Sequence, residues 1–76
     1  MTRDEWKEAN PLRVAMKERG LTIADTAAAL DVSAQSIYFW TTGGSMPGVE
    51  NAQKMEEVLG VTYADLKEWK ASRPEV

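Results

Sequence analysis

"TIADTAAALDVSAQSIYFW", Thr22 to Trp40, is the stretch on which the fold turns. Thr22 reads as a helix cap, with Asp25 three residues on as a weaker form of the capping box. Ala27 and Leu30 fall on one face of the helix that follows. That helix stops near Asp31, a residue type that tolerates left-handed backbone better than most. Val32 supplies one apolar plug and Ser33 a new cap. The spacing predicts two short helices joined by about three residues, which cross at roughly 90–120°. The second helix carries three aromatics in a row, Tyr38, Phe39 and Trp40, and no charged residue occurs between Asp31 and Glu50.

Outward from this pair the chain remains helical in pattern. Thr2 caps a short first helix whose Asp4 and Glu5 favour the positive dipole end. Asn10-Pro11 stops it, because the residue before proline avoids the α region, and Pro11 suits the first turn of the next helix. There Leu12, Ala15, Met16 and Arg19 share a face, Lys17 and Arg19 complement the C-terminal dipole, and Gly20 is a natural stop. "TTGGSMPG", residues 41–48, reads as a loop. Val49, Ala52, Met55 and Leu59 form the inner face of a helix from Val49 to Leu59, ended by Gly60. Thr62 opens a last helix, with Asp65 completing a capping pattern and Tyr63, Leu66 and Trp69 recurring at i, i+3 and i+6. No strand-like alternation and no internal repeat interrupts the series. The fold class is therefore all-α, a compact bundle of about five short helices at residues 11–71. An N-terminal helical extension precedes it at residues 1–10, and a flexible tail follows at residues 72–76.

Composition narrows the chemistry. A chain of 76 residues is expected to form one domain. A domain of this size buries only about 60% of its unfolded surface, so dimerisation would help it. Cysteine and histidine are both absent, which removes thiolate catalysis, disulfides and the commonest metal ligands. Neither an enzyme, a cofactor nor a metal is expected. Apolar runs fall far short of the ~20 residues that span a bilayer. The opening "MTRDEWKEAN" lacks the apolar core of a signal peptide. A cytoplasmic protein without a membrane partner is the expectation. Glu56-Glu57 reads as a solvated helix face, and Gly43-Gly44 lacks the lysine and spacing of a phosphate-binding loop. The net charge of −3 weighs against the basic footprint usual in nucleic-acid binders, although distribution counts for more than the sum.

"GLTIADTAAALDVSAQSIYFWTTGGSMP" followed by "LGVTYADL" resembles the phage-repressor helix-turn-helix family of the Cro/CI, xenobiotic-response-element type, from about Leu12 to Leu66. The landmarks in register are the Gly-Leu-Thr entry, Ala27, the Leu30/Val32/Ser33 turn, Ile37, Trp40, Gly43, Pro47, Leu59-Gly60-Val61 and Leu66. The resemblance implies a lambda-repressor-like DNA-binding domain with its motif at about residues 22–42. It also implies that the second motif helix enters the major groove. Some positions depart from the family. Thr26 replaces a leucine, Asp31 the turn glycine, Ile23 a polar residue that touches phosphate, and Glu56 a small apolar residue. Met16 and Thr41 stand where an arginine–glutamate pair is frequent, an apolar exchange that need not cost stability.

By register with that family, Ile37 and Trp40 face inward. Gln35, Ser36, Ala34, Tyr38 and Phe39 are the candidate base readers. A glutamine amide bonds adenine N6 and N7 together, and apolar groups touch thymine methyls. Thr22, Ser33, Thr42, Gly43, Arg13, Lys17 and Lys54 are candidate backbone contacts, with the Gly43-Gly44 amides and the Thr22 hydroxyl or N–H near phosphates. A neutral helix reads bases with donors, acceptors and methyls; it lacks the charge for counterion release, so a modest salt dependence is expected. Trp6 and Trp69 are expected to pack against each other where the chain ends meet, or else in a dimer contact. The partner so implied is a double-stranded operator, bound by a homodimer in a bacterial host. Val58, Tyr63, Leu66 and Trp69 are candidate dimer contacts. The alternative is a protein-binding antirepressor on the same fold, using Tyr38 and Phe39.

Overall fold

The computed structural model describes residues 1–74. Its six helices are α1 (Arg3–Glu8), α2 (Pro11–Glu18), α3 (Ile23–Leu30), α4 (Ala34–Thr42), α5 (Val49–Leu59) and α6 (Tyr63–Ala71). Among the described residues there is no strand. The longest helix has 11 residues, short of the ~12–15 at which an isolated helix becomes even marginal in water. Capping and packing must therefore hold all six.

The caps are those the sequence supplies. Thr2, Thr22 and Thr62 each form a reciprocal capping box with Glu5, Asp25 and Asp65. In each box a threonine hydroxyl accepts one orphan amide and a carboxylate accepts another. Ser33 accepts from the Ser36 amide at the start of α4. Asp31 takes the left-handed conformation between α3 and α4, at φ 53° and ψ 49°.

The core collects Leu12, Ala15 and Met16 from α2, Ala27 and Leu30 from α3, Ile37 and Trp40 from α4, Met55 and Leu59 from α5, then Val61 and Leu66. Thr26 and Thr41 are buried with them and stay satisfied within their own helices. Their hydroxyls donate to the Thr22 carbonyl at 2.9 Å and the Tyr38 carbonyl at 2.8 Å. The pair Met16 and Thr41 thus needs no ion pair across the core.

Some expectations are corrected. Val49 is 80% exposed; as the first residue of α5 it stands on the rim of a groove instead of the core. Arg19 lies beyond the last turn of α2, keeps its charged head in solvent, and reaches back only to the Ala15 carbonyl. Tyr63, at the first position of α6, is exposed, so the inner face of that helix is Leu66 and Trp69. Ser72 and Arg73, at the start of the expected tail, make contacts with the last helix and with Trp6. Ser72 caps α6, its hydroxyl donating to the Trp69 carbonyl at 2.7 Å, and Arg73 lies over the Trp6 ring. Residues 75–76 of that tail lie outside the described residues.

Candidate nucleic-acid interface

The two sides of α4 differ sharply. Ile37, Trp40 and Thr41 are buried. Gln35, Tyr38, Phe39 and Thr42, at i, i+3, i+4 and i+7, form one outward stripe. The far end of the helix is clamped. The buried Asn10 donates from Nδ2 to the Trp40 carbonyl at 3.0 Å, while its Oδ1 accepts the Arg13 amide at 3.0 Å. Gly43, which ends α4 at φ 81°, sits against two tryptophans. Those are Trp6 and Trp69, stacked with ring centroids 4.1 Å apart and 6° between planes. Each indole N–H donates to the other residue's carbonyl, at 2.9 and 2.7 Å. Helix α4 is therefore held at its C-terminal end and along its inner face, and its N-terminal turn projects.

That turn carries Ala34 and Gln35, both exposed. The Gln35 side chain has no hydrogen-bond partner among the described residues, so its amide is free for an external one. Ser36 is half-buried and its hydroxyl lies 3.0 Å from that of Ser33. Both serines are thus engaged in capping α4, with lone pairs left over. Tyr38 and Phe39 are 52% and 41% exposed and meet edge to face at 5.9 Å. The Phe39 ring also leans on the loop, 3.3 Å from where a Cβ on Gly44 would stand.

At the helix ends, the groups anticipated at phosphates make hydrogen bonds within the domain. The amides of Gly43 and Gly44 both donate to the Phe39 carbonyl, which also accepts the Thr42 hydroxyl. Neither glycine offers a free N–H. At the start of α3, the Thr22 amide donates to the Asp25 carboxylate and the Thr22 hydroxyl accepts the Asp25 amide, both at 3.0 Å. That end is closed by a negative charge; hydrogen bonds from the Thr22 backbone and side chain hold the Asp25 carboxyl below its ordinary range.

The cations are sparse. Arg13 is half-exposed and pairs with Glu8 at 3.6 Å, the one ion pair among the described residues. Lys17 is exposed and Lys54 half-buried. Two residues of the candidate dimer surface are withdrawn into the monomer, Leu66 fully and Trp69 to 6% exposure. Val58 and Tyr63 remain exposed. Tyr63 also lines a groove of about 480 Å³ with Pro47, Val49, Ala52 and Glu56.

The helix-turn-helix family of the Cro/CI type matches residues 12–66, most of the chain. The protein belongs to that family. Its members are DNA-binding transcription regulators, and the match spans α2 through the middle of α6. Among curated proteins and among solved structures, nothing matches. Within this helix-turn-helix domain, the clasp at the end of α4 lies partly outside the matched span, because Trp6 and Trp69 flank it.

Two residues position α4 without any signal that sequence pattern gives for that role. Asn10, the stop before Pro11, is one. An Asn-Pro pair is also the signature of a cap followed by a first-turn proline, and that signal was present. Gly43 is the other, and nothing local in the sequence shows that its missing side chain leaves room for two indoles.

Proposed function

We propose that this protein is a sequence-specific double-stranded DNA-binding regulator, a Cro-like repressor that works as a homodimer. The observation that carries the reading is the outward stripe of α4, led by a free Gln35 amide on a helix clamped from behind. Side-chain amides bond adenine at N6 and N7 in the major groove, a contact worth roughly 1–3 kcal/mol of discrimination. Ala34 and Ser36 flank Gln35 and complete the turn that meets base edges. Arg13, Lys17 and Lys54, with Ser33 and Thr42, serve the phosphates. Repression would be steric: two copies straddle a pseudo-palindrome with half-sites about one helical turn apart, near a promoter.

Selection from random duplex DNA at two salt concentrations tests this. Recovery of a preferred sequence, with Gln35→Ala weakening it about tenfold or more and relaxing one base pair, is the expected outcome. Mobility shifts with no preference across the library refute it.

A protein-binding antirepressor on the same fold is the second reading. It is favoured by the exposed Tyr38–Phe39 pair, since exposed aromatics are frequent interface anchors, and by Asp25 closing the end of α3. Salt separates the two: DNA binding falls with ionic strength in proportion to the phosphates neutralised, whereas an apolar protein contact barely responds.

A further inference from the structure

We infer that the DNA selected by this chain is read through thymine methyl groups felt by Tyr38 and Phe39, so that its half-site is centred on A·T pairs. The inference rests on the reading of α4 as the base-reading helix. In the major groove each base asks for a different side chain. Guanine is read best by an arginine or lysine on O6 and N7, and cytosine by a carboxylate on its N4 amine. Adenine is read by an amide, and thymine is distinguished by a C5 methyl that only apolar surface recognises. Helix α4, with the sequence AQSIYFWTT, holds neither a cation nor a carboxylate. Its exposed stripe holds one amide, Gln35, and one turn further on the same side two aromatic rings. The helix therefore carries a reader for each half of an A·T pair, and neither the cation that reads guanine best nor the carboxylate that accepts from cytosine.

The rings are arranged to serve. They meet edge to face, with centroids 5.9 Å apart and 60° between planes, and stand side by side on the exposed face. Roughly half of each remains in water, 52% for Tyr38 and 41% for Phe39. Phe39 is braced from behind by the backbone at Gly44, where a Cβ would come within 3.3 Å of its ring. A methyl buried against this surface loses contact with water at no cost in charge or hydrogen bonds.

The test begins with duplexes recovered by selection with the wild-type protein. Single thymines are replaced by deoxyuridine, which removes the methyl and nothing else. Each contacted position is expected to bind about fourfold more weakly without its methyl, the effect of one buried carbon. That sensitivity should vanish in Tyr38→Ala or Phe39→Ala at the positions each ring touches. Melting curves confirm that both variants fold. Selected sites centred on G·C pairs, or uridine duplexes bound as tightly as thymine ones, overturn the inference while leaving base reading by α4 in place. Uridine sensitivity that persists in both alanine variants removes the rings from the role. Failure of the wild type to select any sequence overturns the inference together with the reading beneath it.

Discussion

Replacing Gly43 by alanine should harm the fold well beyond the cost of its backbone angle, and Gly60 supplies the control. The two residues end α4 and α5 in nearly the same conformation, at φ 81° and ψ 9° and at φ 72° and ψ 10°. A side chain in that left-handed region costs about 1–2 kcal/mol. The entropic gain from stiffening the unfolded chain, about 0.4–1 kcal/mol, is common to both sites. What differs is the space. A Cβ at Gly60 meets nothing within 4 Å, whereas one at Gly43 lies 3.1 Å from Trp69 Cη2 and 3.2 Å from Trp6 Cη2. Those rings are pinned by their stack and by two reciprocal hydrogen bonds, so they yield only by straining the clasp. Overpacking of this kind typically costs about 1–3 kcal/mol. Gly60→Ala should therefore lose about 1 kcal/mol and Gly43→Ala about 2–4 kcal/mol, a large share of the roughly 4–11 kcal/mol a domain of this length holds. Urea denaturation followed by far-ultraviolet circular dichroism reads both. With a slope near 1 kcal/mol per molar, the midpoints should fall by about 1 M and about 2–4 M. Equal losses at the two sites would show that the indoles move aside freely, and the clasp would then not be the rigid seat described for the end of α4.

Other consequences follow from the same contacts. Asn10→Ala removes the α2 cap and leaves the Trp40 carbonyl buried without its donor; the sum is about 2–4 kcal/mol, seen as a lower melting temperature. Glu5 and Asp25 have carboxyl groups held below their ordinary values by hydrogen bonds to the backbone and side chains of Thr2 and Thr22. The unfolded chain thus takes up protons first as the medium is acidified, and their contribution is full above the ordinary carboxylate range and is lost as pH falls from that range through their lowered values. A melting series from pH 6 to pH 2.5 should show the decline, shallower in Asp25→Asn. Lys17→Ala, if Lys17 meets a phosphate, should reduce the slope of log affinity against log salt by about 0.9; an unchanged slope removes it from the interface.

Much of this architecture was legible because its signals are local. A threonine with an acid three residues on is a local mark of a helix start, and Thr22 and Thr62 carry that pattern. The inward faces of α2 and α3 follow from helical spacing, and that of α4, with Ile37 and Trp40, from register with the family. Spacing failed at helix ends. Val49, Tyr63 and Arg19 lie in phase with buried neighbours but sit on first turns or beyond the last one, where no partner covers them. The candidate interface was half legible. Gln35, Ala34, Tyr38 and Phe39 face outward as register required. The glycine and threonine amides expected at phosphates are instead taken up by internal hydrogen bonds, and partner choice among competing acceptors cannot be read from residue type. Asn10 and Gly43 depend on residues far away in the chain, Trp40 for the first and Trp6 and Trp69 for the second, and no periodicity reports such contacts.

The tryptophan clasp has a practical corollary for anyone handling the molecule. Because Trp6 and Trp69 join 63 residues apart in the chain and seat the C-terminal end of α4, both ends of the folded domain emerge beside the base of that helix. Its nine residues span about 13 Å, which sets Gln35 away from them. Fluorescent labels, affinity handles or surface tethers fused ahead of Thr2 or beyond Arg73 should therefore leave the tip of α4 uncovered, whichever terminus is chosen.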